Sequence, residues 1–233
     1  MPSPPTYDAG GSSPLVQRIY QKVFRNWRVR RLSLFKEIMN PCEGDRILDV
    51  GGYRNAWLNA DLSGVKIDVI NIDRKKGEQD VEMLPNGTEV RELWGDGCAL
   101  EWPDDSYDII FSNSVIEHVG DHGRQQSFAG EVMRVGKSCW VQTPAVACPI
   151  EPHFLGVGIH WLPRAIRPWV ARIFSFRGLF GGHSLKQLQE ISDTTRLITR
   201  KRLMRMFPGC RIVTERLFGI IPKSHIVIID RDS

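Results

Sequence analysis

No Cys-x-x-Cys pair occurs in this 233-residue sequence, and its five cysteines, at positions 42, 98, 139, 148 and 210, are odd in number and scattered. That pattern fits reduced thiols in a cytosolic protein better than a disulfide scaffold. No apolar run reaches the roughly 18–20 residues that a membrane-spanning helix needs. Residues 1–14, rich in Pro, Ser and Gly, lack the charged and apolar regions of a signal peptide. A soluble, cytoplasmic protein is the expectation. No internal repeat is visible.

Acids are scarce in three places. Between Leu15 and Met39, Arg18, Lys22, Arg25, Arg28, Arg30, Arg31 and Lys36 face only Glu37. Arg196, Arg200, Lys201, Arg202, Arg205 and Arg211 form a second basic cluster. Such runs line a solvated helix face or bind anions. Between His153 and Phe180 the only charges are Arg164, Arg167, Arg172 and Arg177, set among aromatic and aliphatic residues. That is the composition of a helix lying in a membrane interface, and an anionic membrane is a candidate peripheral partner. The plainer reading is an apolar face packed on a sheet with its arginines in water. The overall charge of +4 does not by itself argue for nucleic acid.

With 42% hydrophobic content the chain can bury a sizeable core and suits one domain over 14–233, after a disordered leader at 1–13. The stretch Arg46-Ile47-Leu48-Asp49-Val50-Gly51-Gly52 reads as a buried strand that stops at a glycine turn. Glycine permits positive φ and close approach. In a doubly wound α/β sheet such a turn faces the crevice where nucleotide-like cofactors lie. Val69-Ile70-Asn71-Ile72-Asp73 is a second buried strand ending in an acid suited to a ribose hydroxyl.

Leu15–Met39 has mostly helical spacing and predicts one or two amphipathic helices (14–40) over the sheet edge or the pocket. The predicted strands are Arg46–Val50, Lys66–Ile72, Thr88–Trp94, Tyr107–Ser112, Ser138–Gln142, Arg211–Phe218 and His225–Ile229. Predicted helices cover Ala56–Ala60, Arg124–Val135 and Thr199–Met206, the last capped by Thr199. Residues 145–192 break the pattern as an insertion, mostly helical between Pro163 and Phe176, that forms a lid. The last two strands are joined by only six residues, too few for a parallel crossover, so they form an antiparallel hairpin. The expected fold is α/β: a Rossmann-like, seven-stranded, mostly parallel sheet with helices on both faces.

Ile47-Leu48-Asp49-Val50-Gly51-Gly52, Asp73, Gly95-Asp96-Gly97 and Tyr107-Asp108-Ile109-Ile110-Phe111-Ser112-Asn113-Ser114 resemble, in order and spacing, the class I S-adenosylmethionine-dependent methyltransferases. The broad "type 11" group matches best. The resemblance covers about residues 42–230. It implies S-adenosylmethionine as cofactor, with Gly51, Gly52 and the adjacent turn near its methionine part. It implies Asp73 on the ribose, Asp96 beside Gly97 on the adenine amino group, and Asn113 and Ser114 lining the methionine side. Asp49 would hold the glycine turn and the amino group. The family loop usually has a glycine where this chain has Tyr53, and often another at Asn55; either the cofactor loop is wider here or Tyr53 covers the site. Tyr53, Trp57, Trp94 and Trp102 offer stacking or cation–π contact, against ordinary core packing, which is favoured for Trp57.

A nicotinamide dehydrogenase would need G-x-G-x-x-G, which Gly51-Gly52-Tyr53-Arg54-Asn55 lacks. No tyrosine is followed four residues later by lysine. His118 and His122 have the i, i+4 spacing of helix-borne metal ligands, but Gly120 lies between them and a loop is expected, so no metal is assigned. Glu151-Pro152-His153 and His160-Trp161-Leu162-Pro163 follow the fifth strand, where an acceptor must approach. If the acceptor is a hydroxyl, His153 is the candidate base and Glu151 its orienter or substitute. Both residues could equally brace the insertion. The favoured function is methyl transfer, on oxygen or nitrogen, to a small-molecule or lipid-like acceptor. The rival is a catalytically silent relative acting as a binding or scaffold protein. A nucleic-acid substrate is disfavoured because no Asn-Pro-Pro-Tyr-type tetrad follows strand four and no RNA-binding module is present.

Overall fold

The computed structural model describes residues 14–58, 60–72, 81–151, 154, 156–179 and 183–230. The helix α1 (Pro14–Met39) leads into strands β1 (Arg46–Val50), β2 (Lys66–Asn71), β3 (Val81–Met83), β4 (Glu89–Trp94) and β5 (Tyr107–Asn113). Helix α2 (His122–Val135) returns the chain to β6 (Gly136–Pro144). The 145–192 segment then holds the two-residue strands β7 (Ile150–Glu151) and β8 (Gly156–Val157) and helices α3 (Arg167–Phe174), α4 (Phe176–Leu179) and α5 (Leu185–Thr194). Helix α6 (Arg200–Met206) precedes the hairpin β9 (Arg211–Leu217) and β10 (Ile221–Ile229).

The main sheet has eight strands in the order β3-β4-β2-β1-β5-β6-β10-β9. The pairs from β4 through β2, β1 and β5 to β6 are parallel. β10 runs antiparallel to both β6 and β9, as the short connection required. The eighth strand is β3, antiparallel to β4 at the sheet edge. All three of its residues are exposed, so no burial pattern betrays it in the sequence.

Alternation along β1 divides the core. Leu48 and Val50 face a cluster with Phe128, Ala129, Val132 and Val135 of α2 and Leu203 and Met206 of α6. Ile47 faces the opposite cluster, with Phe35, Leu32 and Ile38 of α1. Helix α1 therefore covers a central face rather than a sheet edge. Phe35 packs edge-on against Trp57, Phe111 and Trp140, at centroid distances of 6.0, 5.0 and 5.6 Å. Edge-to-face geometry adds quadrupolar attraction to the large apolar area these rings bury.

Two departures from the sequence reading stand out. The helix expected at Ala56–Ala60 is instead one 3-10 turn at Arg54–Ala56, after which Trp57 enters the core. β10 starts at Ile221, so only Phe218–Ile220 join the hairpin. Pro222 is accommodated because the β9–β10 register shifts between Pro222 and Ser224, and pairing with β6 begins only at Ser224. The cap at Thr199 is as expected: its side chain accepts from the Arg202 N–H. All five cysteines are free. Burial pushes the Cys98 thiol up to about 11 and that of Cys139 to about 12, so both remain protonated at neutral pH. The expected leader at 1–13 lies outside the described residues.

The 145–192 segment has its own small core of Phe154, Ile159, Ala171 and Leu188, with Val170 and Ile191 against it. Helix α5 is started by a capping box in which Ser184 and Gln187 bond each other's backbone.

Candidate functional site

The carboxyl ends of β4, β2, β1 and β5 meet beside the glycine turn, where the chain leaves β1 for β2 on one side and β5 lies on the other. This is the switch point at which open α/β sheets bind ligands. Gly51 has φ +79°, and its N–H donates to the Ile70 carbonyl at 2.8 Å, tying the turn to β2. A Cβ at Gly51 would stand 2.5 Å from Val115 Cγ2. The close approach that glycine permits is thus taken up by Val115. Asn71 donates to the Gly52 carbonyl at 2.9 Å and fixes the outgoing strand.

Asp49 lies directly beneath, so close that a Cβ at Gly52 would fall 1.7 Å from its Oδ2. Its Oδ2 accepts from the Trp57 indole N–H at 2.8 Å. Its Oδ1 is buried and has no hydrogen-bond partner among the described residues. Burial pushes the carboxyl up to about 7, against the opposing pull of the indole. Trp57 is core, as favoured, yet its polar edge is the clamp on Asp49. Tyr53 and Trp94 stand half-open at the rim. Trp102 packs edge-on against Tyr107 at 5.5 Å.

After β4, Asp96 accepts from the Cys98 N–H at 2.9 Å, and both its oxygens accept from Arg124 Nη2 at 2.9 Å. Partial burial would raise its carboxyl, but the Cys98 N–H and Arg124 together hold it below the usual range. Gly97 has no room for a side chain: its Cβ would lie 2.6 Å from Val50 and 3.1 Å from Phe128. Asp73, the expected ribose ligand, lies outside the described residues.

Residues 48–138 match the family model described as a methyltransferase domain. The fold is a Rossmann-like methyltransferase fold. Among solved structures, the methyltransferase domain of bacterial CtHen1-CN is similar at 12% identity and a TM-score of 0.51, over 88% of this chain and 98% of that one. An Anabaena variabilis protein provisionally assigned to methylation in an antibiotic biosynthesis pathway gives 12%, 0.50, and 80% and 64% coverage. A Rhodobacter sphaeroides protein provisionally assigned as a zinc-dependent alcohol dehydrogenase gives 11%, 0.54, and 88% and 90%. At such identities these likenesses show the fold alone. No curated protein matches the sequence.

Between α1 and the strands β5, β6, β10 and β9 lies a polar network that sequence reasoning missed. Arg31, from α1, is buried. It donates to Glu215 Oε2 through Nε at 3.2 Å and Nη2 at 2.7 Å, and through Nη1 to Asn113 Oδ1 at 2.6 Å and Gln142 Oε1 at 3.1 Å. Ser114, with φ +58°, donates to the same Gln142 oxygen at 2.9 Å. Ser224 donates to Glu215 Oε2, and Lys223 sits 3.6 Å from that oxygen and 4.2 Å over the Trp27 ring. Burial would raise the Glu215 carboxyl, yet Arg31, Ser224 and Lys223 hold it below its ordinary value. The only available signal was an arginine run with almost no local acids, whose partner lies 184 positions away.

Glu151 lies on β7, its backbone paired with Gly156. Its side chain and the whole of His153 lie outside the described residues. His160 is buried and donates from Nε2 to the Val146 carbonyl at 2.9 Å, which also accepts from Trp161 Nε1 at 2.8 Å. Glu117 is buried and accepts from Thr143 Oγ1 at 2.9 Å. His118 closes a turn onto the Val115 carbonyl while His122 begins α2, so the two do not share a helix face.

Proposed function

We propose that this protein transfers a methyl group from S-adenosylmethionine to the oxygen or nitrogen of a small-molecule or lipid-like acceptor, in the cytoplasm, as a single domain over 14–233 with 145–192 as its lid. The observation that carries the reading is the glycine turn at the sheet's switch point, with Asp49 Oδ1 beneath it, unpartnered among the described residues, and Asp96 just after β4 on the far side of β2. These residues fit the cofactor's chemistry. A buried acceptor with no partner suits an ammonium group, and a carboxylate beside a glycine turn suits an exocyclic amine.

When bound, S-adenosylmethionine supplies a methyl group made electrophilic by its sulfonium. Asp49 would accept from the amino group, Gly51 and Gly52 would hold the turn open, and Asp73 would take the ribose. Asp96 would accept from adenine, with Arg124 sharing its oxygens. Tyr53 would cover the mouth, and Asn113 and Ser114, positioned by Arg31 and Gln142, would wall the methionine side. Most of the acceleration then comes from placing the nucleophile in line. For a hydroxyl acceptor, His153 would remove the proton, oriented or replaced by Glu151.

A second reading has its own support. Tyr53 and Asn55 stand where the family carries glycines, and Arg124 already occupies both oxygens of Asp96. A silent scaffold would look like this. Titration calorimetry with S-adenosylmethionine separates the two. Heat that saturates at micromolar to low-millimolar cofactor is the expected result, and none at millimolar cofactor favours the scaffold.

A further inference from the structure

Helix α3 has two unlike faces. Pro168 and Ala171 are buried, and Ala171 belongs to the segment's own core. On the other side Ile166, Trp169 and Ile173 follow one another at helical spacing, and all three are exposed, Trp169 by 62%. Phe174 is 71% exposed and Trp161 56%. The apolar residues of 145–192 are therefore not consumed by packing. The inner set closes a core and a second set is left in water.

The charge around that outer face has one sign. Between Glu151 and Glu190 the sequence contains no Asp or Glu, but carries Arg164, Arg167, Arg172, Arg177 and Lys186. Of these cations, Arg164, Arg172 and Lys186 are exposed. Exposed aromatics in a segment whose charges are all cationic match the boundary of an anionic bilayer: the rings enter the headgroup layer and the cations meet phosphate. A second apolar point arises at the end of the sheet where β6 finishes. β6 ends at Pro144, where the 145–192 segment begins, and Pro144 pairs with Ser224 near the start of β10. The hairpin tip beyond it exposes Phe218 by 92% and Ile220 by 76%.

We propose that the outer face of residues 161–174 docks on an anionic lipid surface, bringing the acceptor edge of the sheet to the membrane. No helix among the described residues is long and apolar enough to cross a membrane, so the contact is peripheral. The inference would explain a lipid-like acceptor, but does not need methyl transfer. Lipid binding is read with no cofactor present, so either idea can fail alone.

Co-sedimentation with vesicles decides it. The full chain pellets with phosphatidylcholine vesicles containing phosphatidylglycerol, stays in the supernatant with phosphatidylcholine alone, and is released by high salt. The Trp169→Ser/Phe174→Ser variant loses roughly ten-fold or more in partitioning, and Arg164→Glu/Lys186→Glu behaves alike, each with an unchanged circular dichroism spectrum. A parent protein left in solution with anionic vesicles at low salt overturns the proposal. So does binding that survives both variants, which would assign it to the basic runs elsewhere. Self-association of the free protein, abolished by the Trp169→Ser/Phe174→Ser pair, would assign the face to a second copy instead.

Discussion

The indole of Trp57 and the carboxyl of Asp49 share one buried hydrogen bond of 2.8 Å, directly below the glycine turn. A single neutral donor is a weak counterweight to burial, which is why the carboxyl stands near 7 rather than at its ordinary 3.8. Between those values the folded chain holds more protons at this position than the unfolded chain does. Stability therefore falls as pH rises from about 4 to 7, and this contribution is level above that. Asp49→Asn keeps an acceptor for the indole and removes the titration. It should be about 2–4 kcal/mol more stable than the parent near pH 8, with the difference shrinking towards pH 4. Urea unfolding of both proteins across that range checks it; a difference independent of pH would refute the account.

The same substitution should weaken S-adenosylmethionine binding if Asp49 Oδ1 meets the amino group. Asp73→Ala and Asp96→Ala should each lose on the order of 1–3 kcal/mol of cofactor affinity, and Asp96→Ala should also cost some stability because the Cys98 N–H and Arg124 lose their acceptor. Calorimetry gives the affinities directly. Parent-like binding by all three variants would place the cofactor elsewhere. Gly51→Val is a poorer probe, because positive φ and the nearness of Val115 mean that it should destabilise the fold as well.

Chemistry is tested at His153. For a hydroxyl acceptor, His153→Ala should lower kcat by roughly 10²–10⁴-fold with cofactor affinity preserved. Loss of affinity in equal measure would make it a brace. A full-rate variant would move the proton to Glu151 or to an acceptor that needs no base.

Arg31→Leu should cost about 2–4 kcal/mol, since it leaves the part-buried Glu215 with Lys223 and Ser224 beside it. The Arg31→Leu/Glu215→Leu pair should recover most of that loss. Denaturant titration of the three variants gives the coupling, and additive losses would mean the pair is not a unit.

Much of the sheet was legible because its strands are short apolar runs whose two faces are both covered, so composition alone marks them. Arg46–Val50 and Tyr107–Asn113 are examples. What was hidden depended on distant partners. Nothing near Arg31 in the sequence announces Glu215. Nothing in Val81–Met83 distinguishes an exposed edge strand from a loop. The Ala56–Ala60 helix failed because Trp57 is drawn into the core by Phe35 and Phe111, and tertiary packing overrode local preference. At the site, the glycine turn was readable, but the use of Trp57 as a clamp was not. A tryptophan's core and polar roles look identical in a sequence.

The aromatic cluster beneath the sheet sets where the chain can be cut. Trp57 and Phe111 lie within the family-matched stretch 48–138, while Phe35 comes before it and Trp140 after it. A fragment trimmed to the matched boundaries would lose two of four interlocking rings, most of β6 and the hairpin beside it, baring a greasy central face. Such a fragment should be recovered as aggregate, and any minimal expression piece has to begin upstream of Arg31 and run through Ile229.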